Sequence, residues 1–342
     1  MTNREPILSP ASVGPAANLR DVARAAGVST ASASRALAPD GAVSAELRVR
    51  VRAAAERLRY VPNLAARTLA ARRSGLLGIV VETLADPIIA SVVIACERQL
   101  GDAGYGVMIA SMHGLLGESR RAVQTLLARG AQALVFVESG DAAELARLMA
   151  GSGVPWVSLE EPSATTGSGA LTIGRRSGAA LAARYLLALG HRRFGVIAQP
   201  DRGIADAVRQ VLDGTHGSLL AAEVLAGGED LDVAQAAVRR LLDQVRPPTA
   251  LICSSDAQAL AATRECAVRG IAVPEDISVI GFGDAEFSRR ARPALSTVRV
   301  AAAELGARAA DSLLANVERR APPQVGAGLR LIARESTGPA PR

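Results

Sequence analysis

The chain has 342 residues, room for two or three domains, and its 49% hydrophobic content is that of a protein with a large core, which excludes a disordered chain. Only 2% of residues are aromatic, which excludes the stacking platforms that hold single-stranded nucleic acid. All 39 basic residues are arginine, against 33 acidic residues, and the net charge is +6. The three cysteines, Cys96, Cys253 and Cys266, are odd in number and form no Cys-x-x-Cys pair. With only three histidines in the chain, they argue against a disulfide framework and against a zinc site. The most apolar stretch, Leu76 to Cys96, is broken by Glu82, Asp86 and Pro87, short of the roughly 18 uninterrupted apolar residues of a membrane span. The first residues lack the apolar run of a signal peptide, so the cytoplasm is the expected location.

The charge is unevenly spread. Residues 1–74 hold 12 Arg against 5 acidic residues, whereas residues 75–342 hold 27 against 28. All the excess positive charge sits in the first fifth of the chain. That pattern points to a polyanion-binding module joined to a near-neutral body.

Residues 1–17, rich in Pro, Ala, Gly and Ser, read as a disordered leader. Apolar positions at Leu19, Val22, Ala23 and Ala26 predict a first helix, stopped by a left-handed turn at Gly27. Ser29 is a good N-cap for a second helix running to about Leu37, which completes a helix-turn-helix. Ser44 caps a third helix with Leu47, Val51, Ala54 and Leu58 on one face, and Tyr60-Val61-Pro62 ends it. The second helix exposes Thr30, Ala31, Ser34 and Arg35. Small side chains permit close approach to a DNA groove, and an arginine fork matches guanine O6 and N7. Hydroxyls and the helix N-terminus suit phosphates. This spacing alone leaves open a plain three-helix bundle.

The run Asp21-Val22-Ala23-Arg24-Ala25-Ala26-Gly27-Val28-Ser29-Thr30-Ala31-Ser32-Ala33-Ser34-Arg35-Ala36-Leu37 resembles the head of the lactose-repressor/galactose-repressor (LacI/GalR) family of bacterial transcription regulators. The resemblance continues through Val43-Ser44, Tyr60, Pro62-Asn63 and Ala65-Ala66-Arg67-Thr68-Leu69, and reaches Arg334-Glu335-Ser336-Thr337. Ser32-Ala33 departs from the family's usual Thr-Val and removes methyl groups from the helix packing. The resemblance implies that Thr30, Ala31 and Arg35 read bases, and that Ser29, Ser34 and Asn63 hold phosphate or position the head. Asn63 to Leu69 then resembles a hinge helix in the minor groove, with Leu69 as a wedge at a central base step, Ala66 near the groove floor and Arg67 beside it.

From Gly75 onward, apolar runs alternate with helical stretches. Strands are predicted at 77–81, 106–110, 133–136, 156–159, 194–198, 250–253 and 278–282, with helices at 89–103, 120–129, 142–149, 178–189, 232–244 and 257–269. Such alternation gives parallel sheets with right-handed crossovers. No glycine-rich dinucleotide motif or phosphate loop follows a strand, and there is no Gly-x-Ser-x-Gly elbow, so no cofactor is expected. Leu189-Gly190-His191-Arg192-Arg193 and Pro274 to Phe282 resemble corners of the same family, with His191 as a structural residue. Pro293 to Val298 resembles its crossover between lobes. The implied fold is α/β: a small all-α head, plus a two-lobed core like the type I periplasmic sugar-binding proteins.

The resemblance also implies an effector cleft between the lobes, lined by Ile88, Ile89, Glu160, Arg175, Arg209, Ser255, Asp256 and Asp284. Several of these depart from the family pattern. Gly174-Arg175 stands where Asp-Asn is common, Gly283 replaces an Asp after Gly-Phe, and Ile88-Ile89 replace two rings. Two acceptors are lost while Arg175 and Arg209 bring positive charge, so an anionic effector such as a sugar acid is one reading and an empty cleft is another.

The expected organisation is a leader at 1–17, a helix-turn-helix domain at 18–62, a hinge at 63–74 and a core at 75–338. Lobe 1 covers about 75–173 and 300–330, and lobe 2 about 174–299 and 331–338. The expected function is a repressor binding a palindromic double-stranded operator as a homodimer. No leucine heptads follow Thr337, so no tetramer is expected. Two alternatives share the core: a solute-binding protein, which has no use for the basic head, and a carbohydrate enzyme, which needs paired carboxylates such as Glu160 and Asp256 across the cleft.

Overall fold

In the computed structural model of the protein, residues 17–38, 41–61, 74–112, 118–137, 142–159, 171–198, 203–224, 231–320 and 328–341 are described. The chain divides into two units that meet between Ser74 and Gly75. Apart from residues 17 and 74, the expected leader and hinge lie outside the described residues.

In the first unit, Asn18 caps α1 (Leu19–Ala26). Its Oδ1 accepts from the N–H groups of Arg20 at 2.9 Å and Asp21 at 3.3 Å, and Asp21 Oδ2 accepts from the Asn18 N–H at 3.0 Å. This reciprocal box satisfies donors that a helix start leaves without partners. Gly27 ends α1 at φ 64°, a left-handed conformation that costs glycine little. Ser29 and Ser44 then cap α2 (Thr30–Leu37) and α3 (Ala45–Arg57), each Oγ accepting from the N–H three residues on. The three helices enclose Val22, Ala33, Ala36 and Val51 completely. Arg48 donates to the carbonyls of Ala38, at 2.9 Å, and Gly41, which ties the loop after α2 to α3. The third helix stops earlier than the proline predicts. Arg59 turns left-handed at φ 48°, and the Tyr60 N–H reaches the Ala55 carbonyl at 2.9 Å.

The second unit contains two sheets. The first holds β1 (Leu76–Val81), β2 (Gly106–Ser111), β3 (Leu134–Val137) and β4 (Trp156–Ser158), all parallel in the order β2-β1-β3-β4. The second holds β5 (Arg193–Ala198), β6 (Ser218–Val224), β7 (Ala250–Cys253), β8 (Ser278–Gly283), β9 (Ser296–Arg299) and β10 (Arg330–Ile332), in the order β10-β9-β8-β7-β5-β6. Only β10, against β9, is antiparallel. The connecting helices are α4 (Pro87–Asp102), α5 (Glu118–Ala128), α6 (Ala142–Met149), α7 (Arg175–Ala188), α8 (Ile204–Leu212), α9 (Leu231–Leu242), α10 (Asp256–Val268) and α11 (Ala302–Glu318).

Both faces of each sheet are covered. Leu77, Ile79 and Val81 face one core and Val80 the other, while in β7 Ala250 and Ile252 alternate with Leu251 and Cys253. Strands buried on both faces need apolar residues at every position, which is why they read as continuous runs. Each fully buried large aliphatic side chain contributes about 1.5–3 kcal/mol. α11 packs along α4 beside the first sheet, and the chain then returns to β10 in the second. The lobes are therefore joined by three passes of the chain. The carboxyl ends of β1, β7 and β8 lead to Ile88 and Ile89, to Ser255 and Asp256, and to Asp284, the usual place for a ligand site in an open α/β sheet.

Candidate functional site

Two groups of residues carry candidate function, one in each unit. In the head, Thr30, Ala31, Ser34 and Arg35 are all exposed along α2, while Ala33 and Ala36 point into the helix packing. The face predicted to read DNA is therefore presented to solvent by a buried alanine face. Ser29 spends its Oγ on the cap, accepting from the Ser32 N–H at 3.1 Å and lying 3.0 Å from Ser32 Oγ. Asn63, Ala66, Arg67 and Leu69 lie outside the described residues.

In the core, Asp86 stands at the start of α4, where its Oδ1 accepts from the Ile88 N–H at 2.8 Å. Arg175 opens α7 from the other lobe. Its guanidinium bonds the Asp86 carboxylate, donates to the Ser254 carbonyl at 3.1 Å and lies 5.4 Å from the Phe282 ring centre. The two charged side chains are almost fully enclosed, Arg175 at 4% exposure and Asp86 at 2%. Beside Arg175 is a cavity of about 10 Å³ lined by Gly178, Ala182, Ser254, Phe282 and Val298. That is room for about one water molecule.

Asp256, buried at the start of α10, accepts from Thr297 Oγ1 at 2.6 Å, the Ala285 N–H at 2.6 Å and Ser288 Oγ at 2.8 Å. Burial raises its carboxyl above the ordinary value, against the lowering effect of those bonds. Ser255 caps the same helix through the Gln258 N–H at 3.2 Å. Ile88 fills the space over Gly283, whose backbone sits at φ 124°; a Cβ built there would lie 3.1 Å from Ile88 Cδ1. Gly283 therefore permits the close approach of the two lobes as well as removing an acceptor.

The remaining expected cleft residues are not drawn into this group. Ile89 is enclosed in the lobe core. Asp284, left-handed at φ 60°, bonds Arg299 at 2.6 Å and Arg334. Burial opposes its charge, but those two arginines outweigh it and hold its carboxyl below the usual value. Arg209 is exposed on α8 and pairs with Asp206 one turn back. Glu160 lies outside the described residues. The expected gain of positive charge in the cleft is offset, because both Arg175 and Arg209 have carboxylate partners. Asp86 is the residue that sequence reasoning passed over. Its position before Pro87 marked a helix cap, but its partner stands 89 residues away.

The other reactive groups are structural. His191 is enclosed, with Nδ1 3.1 Å from Thr249 Oγ1 and Nε2 3.0 Å from Ser278 Oγ. Burial lowers its pKa, against the effect of the Gly338 carbonyl. Burial pushes the Cys96 and Cys266 thiols up to about 12, which leaves them as small apolar fillers. Among the described residues no cluster of His, Cys, Asp and Glu could hold a metal ion, and no helix is long and apolar enough to cross a membrane.

A helix-turn-helix head with an outward-facing second helix, followed by a two-lobed α/β core, is the architecture of a DNA-binding regulator. Residues 18–63 match the family described as "Bacterial regulatory proteins, lacI family", and residues 183–337 match "Periplasmic binding protein-like domain". The transcriptional regulator GalR of Escherichia coli K12 is 32% identical over 320 residues, covering 90% of this chain and 92% of GalR. The repressor CytR of the same organism is 28% identical, covering 93% and 94%. The crystal structure of the lac repressor dimer bound to operator and the anti-inducer ONPF superposes with a TM-score of 0.83 at 27% identity, covering 94% of this chain and 99% of that one. The chain belongs to the lacI family of bacterial transcriptional regulators.

Proposed function

We propose that the protein acts in the cytoplasm, on the nucleoid, as a homodimeric repressor of a palindromic operator. The observation that carries this reading is the exposed α2 face of Thr30, Ala31, Ser34 and Arg35 in a head that holds all the excess positive charge. One head reads a half-site, and a two-fold pair reads a palindrome. Asn63, Ala66, Arg67 and Leu69 of the two copies extend the contact into the minor groove. The core sets their separation. A small molecule in the cleft, a sugar or sugar derivative, shifts the lobe arrangement and with it the affinity for DNA.

The test is fluorescence anisotropy with palindromic fragments from the region upstream of the protein's own gene. Specific binding lost on deleting residues 1–74 supports the reading. Equal affinity for operator and random DNA across those fragments overturns it. Leu69→Ala is expected to reduce operator bending, which circular-permutation gels measure.

A further inference from the structure

Arg175 breaks a local rule. It is the first residue of α7, where the helix dipole disfavours a cation, and its N-cap Gly174 offers no side chain to the helix start. Its partners come from elsewhere: the Ser254 carbonyl, the Phe282 ring and the Asp86 carboxylate. Asp86 belongs to the other lobe, where it caps α4 and complements that helix's dipole. The ion pair therefore crosses the cleft. Ile88 crosses beside it, against Gly283.

We infer that the Asp86–Arg175 pair is the cleft's built-in occupant, on which the two lobes close without a bound small molecule and which excludes a neutral sugar. The inference rests on reading this cleft as the effector site of the regulator, and narrows that effector from a sugar to a charged sugar derivative. The physical reason is the cost of a dry, unpaired charge. With the lobes apart, both groups are hydrated; with the lobes together, each satisfies the other. A lobe arrangement that enclosed a neutral ligand between them would bury the two opposite charges apart from each other, which is disfavoured. The pair thus permits only two arrangements, closed and paired or open and wet.

Spin labels on exposed positions of the two lobes, Asp102→Cys and Val245→Cys, report lobe separation in the full chain diluted with unlabelled protein. The buried native thiols stay unlabelled. The unmodified pair is expected to give one narrow distance distribution that galactose leaves unchanged. Asp86→Asn keeps the helix cap and removes the charge; with Arg175→Gln in the same chain, no unpaired charge is buried, so this double variant folds even where a single one fails. It is expected to shift the distribution to longer and broader distances. The inference is overturned if the double variant keeps the parent distribution, or if galactose moves the distribution in the parent. Operator binding by the same proteins is read separately: its absence in the parent would remove the proposed function while leaving the distance result standing.

Discussion

The head and the core hold their candidate functional side chains in opposite ways. Along α2 the candidate base readers face solvent, while Ala33, Ala36, Leu37 and the serine cap serve the fold. In the core the charged candidates are already engaged: Arg175 with Asp86, Asp256 with Thr297 and Ser288, and Asp284 with Arg334. A residue type at a family position says what chemistry is present. Whether that chemistry is available depends on partners that lie far away in the chain. The head is a surface awaiting a ligand, whereas the core site already satisfies itself.

The sharpest way to break this contrast is to remove one side of the cleft pair. Arg175→Gln leaves Asp86 enclosed without its cation, a change that costs about 3–5 kcal/mol when a buried pair is broken. Urea unfolding should show that loss in the core, and Asp86→Asn in the same chain should recover most of it. A loss below about 1 kcal/mol would mean that the pair is as dispensable as a surface one.

On the other side, Arg35→Ala should leave folding unchanged and weaken operator binding by about 1–3 kcal/mol, the scale of one bidentate base contact. Affinity for unrelated DNA should fall much less. Equal losses for both DNAs would reduce Arg35 to a phosphate contact.

How far the sequence shows this contrast depends on how local each signal is. In the head, Gly27, Ser29 and Ser44 act within one helical turn of themselves, so all three helices are legible. The strands β1, β3, β5, β7 and β8 are legible because double burial demands an unbroken apolar run. Helices α8 and α11 are not marked, because Gly203 and Ala301 precede them and neither can cap with a side chain. β10 has only three residues and depends on a partner strand about thirty residues earlier. In the cleft the residue types are legible, but the pairing of Asp86 with Arg175 spans 89 residues and leaves no periodic trace.

Smaller effects sharpen the comparison. Ser29→Ala removes the α2 cap and should cost the head about 1 kcal/mol, with the core melting unchanged by calorimetry. The core should instead respond to acid through His191. Its folded pKa is lowered, so the unfolded chain takes up the proton more readily. Its contribution is therefore fully present above the unfolded pKa of about 6.5 and is lost as pH falls through the folded value. Melting temperatures measured from about pH 8 to about pH 5 should fall at the acid end, and His191→Gln should flatten that fall.

The threading of the last described segment bears on how the protein is made. Ser336 Oγ accepts from the Ser296 N–H at 2.8 Å and donates to the Val279 carbonyl, the Gly338 N–H donates to Ser278 Oγ at 3.0 Å, and Ala340 bonds the Leu189 carbonyl at 2.9 Å. The first lobe likewise waits for α11 to cover α4. Neither lobe is complete until residues beyond 300 have left the ribosome, whereas the helices of residues 19–57 need nothing downstream to pack. Synthesis runs from the amino end and domains fold as they emerge. Each new copy therefore carries a finished head through most of its elongation before either lobe of the core is complete.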